Sequence, residues 1–173
     1  MKQARLAIAA ILAACITLPA AAYESRVVFQ HKNWQVKFVA WDDGSSACTA
    51  SVGPDNESFS IWTFQDRTLK LQFFSTSWEF GEGEFADLKV RVDRKAPWDL
   101  TDAELYKNSV LFTLPDSDDA VRFLMEIADG NRLQLSNSDG SPVTEYSLAG
   151  SRASMSAMVD CADGISSTRN PFK

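Results

Sequence analysis

The chain has 173 residues, 17 Lys and Arg against 23 Asp and Glu, one His, a formal charge of −6 and 45% hydrophobic residues. This composition excludes a disordered, collagenous or cysteine-scaffold chain and supports one domain of ordinary size. The acidic balance, with no dense basic run beyond Leu6, argues against nucleic acid and against an anionic membrane surface, because phosphates are held by clustered Lys and Arg.

Residues 1–22 read as a cleaved signal peptide. Lys2 and Arg5 make a basic start, Leu6 to Ala14 is unbroken apolar sequence, and Ala20-Ala21-Ala22 offers small residues for cleavage. Removal takes away two cations and no anion, so the exported chain is more acidic still. The apolar run is too short for a permanent span, and no other stretch approaches the roughly 20 residues one needs. A periplasmic or secreted protein is expected. The alternative is a lipoprotein anchored through Cys15, since Leu12-Ala13-Ala14-Cys15 resembles a lipobox. With Cys15 set aside, Cys48 and Cys161 remain as an even pair in an oxidising compartment, which predicts a structural disulfide.

A single domain is expected over 23–162, followed by a tail over 163–173. Its first half shows period two. Trp34, Val36, Phe38 and Ala40 alternate with Gln35, Lys37 and Val39, and Asp42-Asp43-Gly44 turns the chain toward Cys48, Ala50 and Val52 as a hairpin. Phe59 to Phe64 and Leu69 to Phe73 supply two further strands, and Gly81-Glu82-Gly83-Glu84 reads as a break. Ala86, Leu88, Val90 and Val92 then face a core opposite a wet face of Asp87, Lys89, Arg91 and Asp93.

Helical signals enter in the second half. Thr101 and Glu104 have capping-box spacing and predict a helical turn over 102–106. Val110 to Leu114 reads as a short strand. After Pro115-Asp116-Ser117, a helix with Ala120, Phe123, Leu124 and Ile127 on its apolar face ends at Gly130. Strands around Leu133 and from Val143 to Leu148 flank the Asp139-Gly140 turn, and Ser151 opens a last helix reaching about Asp160. The fold class expected is α+β: an antiparallel sheet, sandwich-like or a half-barrel, with two main helices in the C-terminal half.

The valine-rich strand ending in Asp93, the helix closing on Gly130, the strand over 131–136, and Tyr146-Ser147-Leu148-Ala149-Gly150-Ser151 entering an alanine-rich helix resemble the invasion-associated locus B family of exported alphaproteobacterial proteins. Trp34 followed by Cys48 is similar to that family's opening, although Phe38 and Val39 stand where members commonly carry a further Cys. The resemblance covers about residues 86–161. It implies an envelope protein with an accessory role, in some members linked to host-cell entry, and carries over no catalytic residue.

Chemistry is sparse. His31 is the only histidine, stands in an exposed-looking segment without a nucleophile-elbow pattern, and leaves hydrolytic triads and catalytic zinc or iron without their usual ligands. Asp42, Asp43, Glu79, Glu82, Glu84, Asp116, Asp118 and Asp119 are candidate acids for a carboxylate-dependent hydrolase, but turns and a helix start explain them more simply. Neither Asp55-Asn56-Glu57 nor Asn137-Ser138-Asp139-Gly140 completes a calcium loop. No catalytic residue, metal or cofactor is therefore expected. The aromatics are more informative: Trp62, Phe64, Phe74, Trp78 and Trp98 are candidates for an exposed binding surface, since Trp combines an apolar face with a polar handle. The function expected is non-enzymatic binding of an envelope protein partner, a basic one if acids ring the patch; the alternative is a carbohydrate or peptidoglycan binder.

Overall fold

Alternating apolar residues in the first two-thirds of the chain produce strands β1 (Tyr23–His31), β2 (Trp34–Trp41), β3 (Ser46–Val52), β4 (Glu57–Phe64), β5 (Leu69–Ser75), β6 (Phe80–Val92), β7 (Trp98–Lys107) and β8 (Ser109–Thr113). Helix α1 (Asp118–Asp129), strands β9 (Arg132–Asn137) and β10 (Pro142–Ser147), and helix α2 (Ser151–Ser166) complete the α+β fold. The computed structural model describes residues 23–166. Residues 1–22, expected to be a signal peptide and including Cys15, and residues 167–173 lie outside that range. Among the described residues, no helix is long and apolar enough to cross a membrane.

All ten strands belong to one antiparallel sheet in the order β1-β2-β3-β4-β5-β8-β7-β6-β9-β10. Because side chains alternate across a strand, each strand sends one set inward. Val36, Ala50, Ile61 and Leu71 from β2 to β5 share one core with Leu88, Val90 and Val92 of β6 and Leu133 of β9. Phe59 joins the two ends of the sheet. Its ring stacks on Phe73 at 5.1 Å, meets Trp34 edge-on at 6.2 Å and tilts against Tyr146 of β10 at 5.9 Å.

Both helices close this core. The side chain of Ser117 accepts from the amide of Ala120 at 3.2 Å and caps α1, whose Ala120, Phe123 and Ile127 are buried. Helix α2 packs over β2 and β3 and is tied there by the Cys48–Cys161 disulfide. It begins at Ser151, but the Ser151 hydroxyl donates to the carbonyls of Ile127 at 2.8 Å and Ala128 at 3.1 Å. That serine therefore satisfies the end of α1 and not the start of its own helix.

Four local expectations need correction. The helical turn over 102–106 is part of β7. Thr101 and Asp102 together oppose Asp87, Asp102 takes φ +59°, and its amide donates to the Asp87 carboxylate at 3.0 Å. This bulge inserts one residue into the alternation, so Leu100 and Ala103 both face the core at a spacing that imitates a helix. The Gly81–Glu84 break is likewise inside β6, where the pairing jumps between Phe80 and Glu84 and Gly83 supplies φ +75°. Helix α2 runs past Asp160 to Ser166, into the stretch read as tail. Finally, Gly130 ends α1 at φ −77°, an ordinary value, and matters because a β-carbon there would lie 2.4 Å from Val92 and 2.8 Å from Leu148.

Two measurements check these contacts. The disulfide spans 113 residues of sequence, so reduction is expected to lower unfolding stability by about 4–5 kcal/mol on the chain-entropy model. Guanidinium denaturation with and without reductant reads this, and coincident curves would count against it. The variant Gly130→Ala is expected to lose about 1–3 kcal/mol through overpacking, read as a lower denaturant midpoint at unchanged slope.

Candidate functional site

Strands β1 to β5 present a second face, turned away from the core. Directly paired residues point the same way, so the register builds rows across it. Val27, Lys37, Thr49, Trp62 and Lys70 form one row, and Gln35, Ser51, Ser60 and Gln72 form the next. A groove of about 360 Å³ runs over these rows, lined by Tyr23, Lys37, Trp41, Thr49, Trp62 and Gln72 together with serines 25, 51, 58 and 60.

Its aromatic wall is held in position. The Trp41 and Trp62 rings lie 6.4 Å apart, and Trp62 stacks on Phe64 at 6.3 Å. The Trp62 indole N–H donates to Gln72 Oε1 at 2.8 Å, and the Gln72 amide donates to the Ser109 hydroxyl at 2.9 Å. This chain of bonds orients the indole plane. Beneath it, Thr49 is 4% exposed and its hydroxyl has no hydrogen-bond partner among the described residues. An enclosed hydroxyl without a partner costs about 1–3 kcal/mol.

The five sequence-predicted aromatics do not form one patch. Trp62, Phe64 and Phe74 share the outward face, with Phe74 paired between Ser58 and Ser109. Trp78 packs against the core beside Phe80 at 5.8 Å. Trp98 lies under α1, 5.3 Å from Phe123, with its indole N–H donated to Glu126 at 3.0 Å and Arg122 over its ring at 4.9 Å. Trp41, Tyr23, Lys37 and Thr49 were not singled out from sequence. Trp41 and Lys37 carry a readable signal, since both alternate outward along β2; Thr49 carries none, because its place under Trp62 comes from the β3–β4 register.

Of the candidate acids, Asp118 and Asp119 lie in the first turn of α1 and Asp43 in the turn between β2 and β3. Asp43 accepts from the Ser45 hydroxyl and amide, and those bonds hold its pKa below the usual carboxylate range. Asp66 is lowered by the Thr68 amide and Asp139 by Ser141. Asp93, at φ +53°, is lowered as well: desolvation opposes this, but the amides of Asn131 and Arg132 outweigh it. His31 is exposed at the end of β1, its ring 6.4 Å from Phe29. Among the described residues, no three His, Cys, Asp or Glu side chains are grouped to hold a metal ion.

Comparison with protein-family models, with curated proteins and with solved structures finds no match for this chain.

The four lowered carboxylates bind fewer protons folded than unfolded. Their stabilisation is complete above the ordinary carboxylate value of about 4 and is lost as pH falls through the lower folded values. The melting temperature is therefore expected to drop on acidification below about pH 4, and Asp93→Asn is expected to flatten that drop. Calorimetry between neutral and acid pH reads both, and an identical pH slope in the variant would remove Asp93 from the account.

Proposed function

We propose that this is a non-catalytic exported binding protein whose outward sheet face holds a glycan, with sugar rings stacked on Trp41 and Trp62. The observation that carries this reading is the unpartnered Thr49 hydroxyl at the floor of a groove that combines aromatic rings with serine, glutamine and lysine side chains. Sugars present two kinds of surface, apolar C–H faces that pack on an indole and hydroxyls that exchange hydrogen bonds with small polar side chains.

The wider reading follows the sequence. Export to the periplasm or beyond, or anchoring through Cys15, agrees with a disulfide between Cys48 and Cys161. An accessory envelope role of the invasion-associated locus B kind rests on the resemblance over residues 86–161. A sheet curled into a half-barrel agrees with the contacts of Tyr146 on Phe59 and Phe73. A protein partner is the other occupant of the same face. It is placed second because Trp78 and Trp98 pack elsewhere, and a basic partner is not favoured by a groove whose one charged lining residue is Lys37.

A glycan array and a cell-wall pull-down test this. Trp62→Ala and Trp41→Ala are each expected to weaken retention about tenfold, corresponding to about 1.4 kcal/mol, with circular dichroism unchanged. No retention on any glycan, beside specific crosslinking to an envelope protein, would replace this reading with the protein-partner one.

A further inference from the structure

The groove has an electrostatic asymmetry that a neutral sugar would not use. The chain has more acids than bases, yet among the described residues none that lines the groove is acidic, and the one charged side chain there is Lys37. Lys37 is paired directly with Thr49, Thr49 with Trp62, and Trp62 with Lys70. Directly opposed residues on one face have β-carbons about 4.5–5.5 Å apart, so one cross-strand row sets a cation, an unused hydroxyl, an indole and a second cation side by side. Lys37 forms no ion pair among the described residues.

Resting on the glycan reading above, we propose that the groove selects acidic glycans, seating a sugar carboxylate between the Lys37 ammonium and the Thr49 hydroxyl while the pyranose ring stacks on Trp62. An ammonium and a hydroxyl both donate, and a carboxylate accepts at both oxygens without donating. A neutral sugar hydroxyl leaves the cation without a counter-charge. The Thr49 hydroxyl supplies the second, independent sign of a ligand, because a buried donor with no partner lies beside the cation. Lys70, on the far side of Trp62, adds attraction for a polyanionic chain crossing the strands.

Two sources of the carboxylate are compared by calorimetry on the purified protein: galacturonate oligomers and muramyl disaccharides, each beside its methyl ester. At least one free acid is expected to bind about tenfold more tightly than its ester, equivalent to about 1.4 kcal/mol, and the arm that binds identifies the source. Added salt is expected to weaken the acid and leave the ester unchanged. Lys37→Gln is expected to reduce the acid to the affinity of the ester. Thr49→Val is expected to lower the preference without lowering the melting temperature, because the hydroxyl it removes has no partner in the fold; that separates a ligand contact from a structural one. Equal, Trp62-dependent binding of acid and ester would overturn the selectivity and leave the glycan reading standing. Failure to bind these or any arrayed glycan would overturn both.

Discussion

Phe59 touches Trp34 from β2, Phe73 from β5 and Tyr146 from β10, three strands that are not all neighbours in the sheet. β10 lies at one edge of the strand order and β2 is next to the other. An antiparallel sheet of ten strands can bring such positions onto one ring only by curving, with twist and bulges supplying the curvature. The bulges opposite Asp87 and near Gly83 are on β7 and β6, seventh and eighth in that order. Tyr146 is buried deeply enough that desolvation, together with the charge of Glu57, pushes its phenol well above the ordinary range. Curving encloses one face in a common core and leaves the opposite face of β1 to β5, with its groove, outside it.

Much of this was legible in the residues. Strict alternation from Trp34 to Ala40 and from Ala86 to Val92 marked strands with one apolar face, and an acidic first turn followed by Phe123 and Ile127 marked α1. Counting cysteines after setting aside Cys15 identified the pair that is joined. The misread segment at Thr101 shows why periodicity has a limit. A bulge changes the apolar spacing from two to three, and a three-residue spacing is what an amphipathic helix also shows. Gly130 illustrates another limit, since its requirement comes from Val92 and Leu148, residues distant in sequence that no local pattern connects to it.

The candidate site was legible only in part, for a related reason. Aromatic composition pointed to Trp62, Phe64 and Phe74, which do share a face, but it could not separate them from Trp78 and Trp98, which bury against the core and α1. Sorting them needs the strand order and register. The same register makes Lys37, Thr49 and Trp62 neighbours although 25 residues of sequence separate the first from the last. A threonine in the middle of an apolar strand reads as filler until its hydroxyl is seen to lack a partner.

Cys48 and Thr49 are consecutive on β3 and therefore project from opposite sides of the sheet. The first is bonded covalently to α2 behind the sheet, and the second floors the groove in front. The strand under the groove is thus riveted from the rear, so the proposed sugar site on Trp62 has a backing plate that does not have to be ordered on binding. Rigidity supplied in advance lowers the entropic cost of association, so the oxidation that closes this bond in folding would also prepare the proposed sugar site.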